Sequence, residues 1–283
     1  MLYRYGEGRG RIPTERLLIG CPVCQEPEVL KLFLRSLRRL ELPGVQAAYH
    51  FVDDNHDPRS KALLEAFQAE VPNITVRRPQ RQEAEMQYRG HNWNEHIIWK
   101  VAQYKNHMIE RALREGFTHL FLVDSDVLLH PKAVRHLMDT GKEIVSQVFW
   151  TRWQEDAVEQ PQVWIRDFYT QFDQKPGEQL TQAEERARTY AFFAMLRVPG
   201  LYEVGGLGAC TMIRRSALEQ GVSFRPVRNL SFWGEDRHFC VRAAARDIPL
   251  FADTVYPAFH VFRPGQLEGG RDYPPPEIQG PCT

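Results

Sequence analysis

The amino-acid sequence predicts an α/β protein, a mostly parallel, doubly wound sheet with helices on both faces, in a single domain. Two observations carry that prediction. Short continuous apolar runs, of the kind that strands buried on both faces show, alternate with stretches whose apolar residues recur at helical spacing. Three of the runs end on polar or acidic turns, at residues 21–26, 53–55 and 124–126. In a doubly wound sheet such strand ends open on one rim, where ligands collect.

The elements follow in order. Leu17-Leu18-Ile19-Gly20 is the first strand signal. Pro27 opens a helix whose Leu30, Phe33, Leu34, Leu37 and Leu40 fall on one stripe, and Leu42-Pro43-Gly44 stops it. Tyr49-His50-Phe51-Val52 is a second strand ending on Asp53-Asp54-Asn55. A helix with Leu63, Ala66 and Phe67 on one face precedes a strand through Ile74-Thr75-Val76, and residues 83–94 lack clear periodicity. Ile97, Val101, Tyr104, Met108, Ala112 and Leu113 mark a long helix that Gly116 ends. His119-Leu120-Phe121-Leu122-Val123 then runs into Asp124-Ser125-Asp126. Such strand–helix–strand units require right-handed crossovers.

The second half is organised differently. Pro131 opens a short helix, and residues 143–149 form another strand. Residues 150–197, rich in Trp, Gln and Glu without a strand pattern, read as an insertion or lid over the site. Gly205-Gly206-Leu207-Gly208-Ala209 leads to a strand through Met212-Ile213 and a short helix over 216–219. Trp233-Gly234-Glu235-Asp236 precedes a helix reaching about Arg246, residues 250–256 are a last strand, and the tail with Pro274-Pro275-Pro276 is extended. No internal repeat is present.

Composition limits the function classes. A chain of 283 residues with 43% hydrophobic and 25% charged residues buries a full core as one domain. Lys and Arg total 36 against 36 for Asp and Glu, so no basic excess recruits nucleic acid. Residues 1–16 are polar and Arg-rich, and no apolar stretch reaches the roughly 18–20 residues that span a bilayer. No membrane span and a cytoplasmic location are therefore expected. Five cysteines, an odd number, fit reduced thiols. Cys21-Pro22-Val23-Cys24 resembles a thioredoxin redox turn or half of a zinc site, but no second pair completes four ligands, and a structural role is preferred.

Three constellations carry chemistry. In Asp124-Ser125-Asp126, two carboxylates at a strand end can aim at one hard divalent cation, Mg²⁺ or Mn²⁺, that bridges to substrate phosphates. A turn or capping pair is the alternative. Glu235-Asp236 offers a general base for an attacking hydroxyl, or simply acids that complement a helix dipole. The preceding Gly234 leaves room for a ligand, and Trp233 a face for a sugar ring. His260 either completes a metal shell or is a structural histidine.

In this order the features resemble those of family 2 glycosyltransferases of the GT-A fold. Pro22-Val23-Cys24-Gln25-Glu26 is similar to that family's Pro-Val-Tyr-Asn-Glu opening, with Cys24 and Gln25 in place of Tyr and Asn. Val52-Asp53-Asp54-Asn55 resembles its second nucleotide-binding element, Asp124-Ser125-Asp126 its Asp-x-Asp motif, and Trp233-Gly234-Glu235-Asp236 its Trp-Gly-(Gly)-Glu-Asp element. The resemblance runs over residues 17–263 and is weakest over 150–197.

The resemblance implies a metal-dependent, inverting transfer of a sugar from a nucleotide-diphosphate donor, UDP before GDP, to a carbohydrate, lipid-linked or protein acceptor. Pro22, Val23 and Glu26 would line the nucleoside pocket, and Asp53 or Asp54 would bind the base. Asp124 would approach ribose or metal beside Ser125, and Asp126 and His260 would hold the cation. Asp236 would be the base and Glu235 a contact to substrate hydroxyls, with Gly206 in the turn that borders donor sugar and acceptor and Trp233 beside it. Arg89 or Lys105 would lie near the phosphates, unless residues 89–94 are an ordinary connection. By this reading residues 1–16 are an N-terminal extension and 17–149 a nucleotide-sugar half. Residues 150–263 are an acceptor half with an insertion at 150–200, and 264–283 are a Pro-rich tail. A nucleotidyltransferase and an inactive nucleotide- or carbohydrate-binding module are the alternatives. The first lacks the Gly-rich basic loop after the first strand, and the second would be expected to have lost one of Asp126, Asp236 and His260.

Overall fold

The computed structural model describes residues 15–79, 94–154, 156–231 and 234–274. Its first half alternates strands and helices as the sequence predicts: β1 (Glu15–Val23), α1 (Pro27–Arg38), β2 (Val45–Asp53), α2 (Pro58–Glu70), β3 (Ile74–Arg77), α3 (Glu95–Arg114) and β4 (His119–Leu122). Then come β5 (Val127–Leu128), α4 (Ala133–Asp139), β6 (Ile144–Gln147), β7 (Trp150–Thr151), β8 (Gln160–Pro161) and β9 (Val163–Trp164). The chain closes with α5 (Gln182–Leu196), β10 (Leu201–Val204), β11 (Gly206–Leu207), β12 (Thr211–Arg214), α6 (Arg215–Glu219), α7 (Glu235–Ala244), β13 (Leu250–Asp253), β14 (Phe259–His260) and α8 (Leu267–Asp272).

Eight strands form one sheet in the order β10-β13-β6-β12-β4-β1-β2-β3. β3, β2, β1 and β4 run parallel, β13 parallels β6, and β12 runs antiparallel between β4 and β6, as β10 does against β13. Alternation along the strands divides the core into two layers. Leu17, Ile19 and Cys21 of β1 and Phe121 of β4 pack with the α1 stripe of Leu30, Phe33, Leu34 and Leu37. Leu18, Leu120 and Leu122 face the other way, onto Met108 and Ala112 of α3. α3 approaches so closely that a Cβ on Gly20 would lie 2.6 Å from Met108 Sδ, which explains the glycine inside β1.

Several expectations are corrected. β1 extends through Val23, so Cys21 lies inside a strand with its thiol fully buried, while Cys24 is exposed. Burial, with Asp124 and Asp126, pushes the Cys21 thiol well up, opposite to the lowered thiol of a redox turn. The last long strand stops at Asp253 rather than running to residue 256, and β10 forms a sheet edge where no strand was expected. Residues 150–197 are partly regular: three short strands, then α5, which opens with a capping box between Thr181 and Glu184. The tail is not wholly extended either. α8 packs Gly270 onto the α1 side, where a Cβ would lie 3.0 Å from Leu32, and the Arg35 guanidinium donates to the Gly270 and Arg271 carbonyls. Pro275 and Pro276 lie outside the described residues.

Candidate functional site

The carboxyl ends of β1, β2 and β4 open on one rim, and hydrogen bonds lock their turns together. The Gln25 amide donates to Asn55 Oδ1 at 2.8 Å, and Asn55 Nδ2 donates to Asp53 Oδ1 at 2.8 Å. Arg78 Nε donates to Asp53 Oδ2 at 3.1 Å, so the Asp53 carboxylate, with no exposed surface, braces the turn. Asp54 pairs with Lys100 of α3 at 2.8 Å. Val23 packs in the core and reaches the rim only through its backbone, where its carbonyl accepts from the Asp54 amide at 2.8 Å. Pro22 is half-buried and Glu26 exposed at the same turn.

The turn after β4 faces a second element brought from far along the chain. β14 pairs with β5 so that His260 is opposite Val127, and the Val261 amide donates to the Asp126 carbonyl at 2.9 Å. His260 Nε2 consequently lies 3.6 Å from Asp126 Oδ2. His260 Nδ1 shares a 2.8 Å hydrogen bond with the Thr151 hydroxyl, which also accepts from Gln162 Nε2 at 3.0 Å. Gln25 Nε2 reaches Asp126 Oδ2 from the other side at 3.5 Å. Ser125 is buried in the turn.

The third part is the start of α7. Lys105 of α3, 3% exposed, donates to Glu235 Oε1 at 2.8 Å and to Asp236 Oδ1 at 3.1 Å. Burial opposes the Lys105 charge, but Asp236, Glu235 and Asp124 outweigh it and hold the ammonium well above its ordinary range. Burial pushes Asp236 up to about 7, against Lys105 and with Glu235 and Asp124. Asp124 is pushed up to about 6 by burial, against Lys105 and with Asp126 and Glu235. Asp124 thus feels both acidic groups, and the three motifs share one electrostatic environment.

Other expected residues stand elsewhere. Lys105 directs its ammonium to the acidic pair. The space beside Gly206 is filled by Trp164, whose ring would lie 1.9 Å from an added Cβ, so packing rather than a donor sugar accounts for that glycine. Gly234, at φ 126° and with a Cβ position 2.9 Å from the Tyr169 hydroxyl, makes room for the protein's own phenol rather than for a ligand. Arg89 and Trp233 lie outside the described residues. Tyr169, Thr151 and Gln162 were not singled out from sequence, because all three fall in the irregular 150–197 stretch. A hollow of about 690 Å³ opens on the far side of α7, lined by Trp164, Arg166, Asp167, Lys175 and Arg237, and none of the acidic residues above lines it.

Donor chemistry can be tested against a divalent cation. Asp126 and His260 offer a carboxylate oxygen, which suits Mn²⁺ or Mg²⁺, and an imidazole nitrogen, which is compatible with Mn²⁺ and disfavours the harder Mg²⁺. Among the described residues no three His, Cys, Asp or Glu side chains gather tightly enough to hold an ion by themselves.

No protein-family profile matches the chain, and no curated protein matches it by sequence. Solved structures do. The chain is similar to S. aureus TarS 1–349, with a TM-score of 0.51 and 13% identity over 87% of this chain and 60% of that one. It is also similar to the mannosyltransferase PcManGT from Pyrobaculum calidifontis, in complex with GDP-Man and Mn²⁺, with a TM-score of 0.52 and 14% identity over 90% of this chain and 59% of that one. The fold is therefore the GT-A glycosyltransferase fold, as the sequence predicts. The chain spans about 60% of the length of these chains. Among the described residues no helix is long and apolar enough to cross a membrane.

Proposed function

We propose that this chain is a divalent-cation-dependent glycosyltransferase that moves a sugar from a nucleoside-diphosphate donor to a hydroxyl acceptor with inversion. The observation that carries the reading is the Lys105-clamped pair Glu235–Asp236 in the same electrostatic environment as Asp124, Asp126 and His260, at the carboxyl ends of parallel strands. The resemblance of the Asp-x-Asp and Trp-Gly-Glu-Asp elements, and a fold shared with a mannosyltransferase that binds GDP-Man and Mn²⁺, support it.

Each residue has a stated task. Asp126 and His260 would hold the cation, with Asp124 beside it, and Thr151 would accept from His260 Nδ1–H so that Nε2 keeps its lone pair. A cation held there would supply charge neutralisation on the diphosphate leaving group. Pro22, Glu26 and the turn braced by Asp53 border the nucleoside, with Asp54 toward the base. Asp236 Oδ2 takes the proton of the acceptor hydroxyl as that oxygen bonds to the anomeric carbon. The carbon–oxygen bond to the diphosphate breaks and its electron pair leaves with the nucleoside diphosphate. Glu235 contacts substrate hydroxyls. Residues 17–149 form the donor half and 150–263 the acceptor half. UDP-sugars and GDP-sugars are the two donor classes, and the acceptor is a carbohydrate, lipid-linked or protein hydroxyl.

Calorimetric titration with UDP, GDP and their sugar conjugates, with and without Mn²⁺, tests the reading in wild type and in Asp126→Ala. One nucleotide is expected to bind in a Mn²⁺-dependent way that the variant loses. Absence of binding in every condition sinks the proposal.

A further inference from the structure

The Thr151 hydroxyl is the middle of a three-membered hydrogen-bonded chain. Gln162 Nε2 lies 3.0 Å from its oxygen on one side and His260 Nδ1 2.8 Å on the other. The short β7–β8 hairpin fixes these contacts, because Thr151 pairs with Gln160 and the Gln162 amide donates to the Phe149 carbonyl at 3.1 Å. Thr151 has no exposed surface, so no water-sized sphere reaches the hydroxyl. Its one hydrogen therefore has two places to go among the described residues. One is His260 Nδ1, and the other is the oxygen of the Gln162 amide after that amide makes a half-turn. A hydroxyl that accepted from both neighbours would leave its hydrogen without an acceptor, an unfavourable state for a buried donor.

The two settings differ in which His260 nitrogen carries the proton. With the Gln162 amide nitrogen facing Thr151, the hydroxyl donates to Nδ1. The neutral ring then keeps its proton on Nε2, the atom 3.6 Å from Asp126 Oδ2, and Nε2 has no lone pair for a cation. With the amide oxygen facing Thr151, the hydroxyl donates to Gln162, His260 Nδ1–H donates to the hydroxyl, and Nε2 is bare. We propose that Gln162 is a positioning residue for the cation site. Acting through Thr151, the end of its amide that meets the hydroxyl sets the His260 tautomer, and the relay reverses when Nε2 is given to a cation. This rests on the reading of His260 as a metal ligand. Protons balance in the reversal: Nε2 releases one to water, Nδ1 takes one from water, and Thr151 keeps its own, turned from Nδ1 to the amide oxygen. Each setting makes two hydrogen bonds within the chain, so neither is strongly favoured and the occupant of Nε2 decides between them. Gln162 is half-buried, which leaves its amide room to turn.

The test uses the full chain with isotope-labelled histidine at about pH 8, where an ordinary imidazole is neutral. Nitrogen NMR shifts separate protonated from bare ring nitrogens, and His260→Ala assigns the His260 pair. Without added metal, Gln162→Leu removes the alternative acceptor and is expected to hold the proton on Nε2. Gln162→Glu can only accept, and is expected to move it to Nδ1. Mn²⁺ affinity is read on the same proteins by electron paramagnetic resonance of the free ion, with saturating UDP or GDP. Gln162→Leu is expected to weaken it about tenfold, the low end for a residue that orients a ligand from behind. In Thr151→Val, which has no hydroxyl to relay, adding Gln162→Leu is expected to change Mn²⁺ affinity by less than about twofold. A merely structural Gln162 would give the same loss in both backgrounds and move no tautomer. The same His260 tautomer in Gln162→Leu and Gln162→Glu overturns the proposal, as does a loss of Mn²⁺ affinity that persists beside Thr151→Val. Failure of the underlying reading registers separately, as Mn²⁺ binding that is absent from wild type or unchanged in His260→Ala, and it removes the proposal with it.

Discussion

At residue scale the proposed chemistry centres on Asp236. Its carboxyl is pushed up to about 7 by burial, so it holds a proton that the unfolded chain releases near pH 4. Between those values the folded state binds more protons, and its stability falls as pH rises through the window. Above pH 7 the carboxylate is charged, the form that the proposed role as base requires. Turnover is therefore expected to climb as pH passes about 7, which a rate profile on the selected donor checks. Asp236→Asn should abolish turnover, keep donor affinity and flatten the loss of stability between about pH 4 and 7 in denaturant unfolding. Lys105→Met leaves the buried Glu235 and the partly buried Asp236 without their counter-ion and is expected to cost roughly 3 kcal/mol by urea unfolding. The acids were legible from sequence because each follows a strand or opens a helix. Lys105 was legible only as a cation near the site, since its partners lie 130 and 131 residues away and no local pattern records such a distance.

At the scale of elements, periodicity located the buried strands and the amphipathic helices of the first half and failed between residues 150 and 197. The short strands there hold two residues each, too few for alternation to register. α5 carries little amphipathic signal, yet its Thr181 and Glu184 form a capping box, a spacing that sequence alone can reveal. Thr181→Ala should destabilise α5 by about 1 kcal/mol, measured as a lowered urea midpoint. The pairing of β9 with β11 is set by Gly206 opposite Trp164. Gly206→Ala drives a methyl into that indole and is expected to cost roughly 1–3 kcal/mol, while Gly208→Ala, two residues on, is expected to leave stability within about 0.5 kcal/mol.

For the whole molecule, the strand–helix alternation predicts the parallel side of the sheet, and the reversed strands β12 and β10 are its departures. The reversal was hidden because a strand's direction depends on the path of the preceding chain, and that path runs through the irregular stretch. The two core layers predict a thiol hierarchy. Under native conditions iodoacetamide should modify Cys24 and spare Cys21, Cys210 and Cys240, which lie in those layers, with all four reacting after unfolding. Peptide mapping by mass spectrometry checks it, and rapid native labelling of Cys21 contradicts the depth assigned to β1.

The antiparallel placement of β12 beside β6 has one more consequence. Ser146 and Thr211 are register partners, and the Gln147 amide donates to the Cys210 carbonyl at 2.9 Å. The chain therefore leaves β6 and re-enters at β12 at adjoining points, and the segment between, which also lays β10 on the edge of the sheet beside β13, behaves as a cassette with its two ends clipped together. Exchanging a cassette of different length alters the closure entropy only by a logarithm. Such a graft replaces Gln162, Thr151, Tyr169 and Gly208 in one move while leaving Asp124, Asp126 and the nucleoside rim untouched. On the proposed reading acceptor choice is in that sense portable, and a chimera whose cassette keeps a hydroxyl at Thr151 beneath His260 is expected to keep its donor while adopting the acceptor preference of whichever chain supplied the cassette.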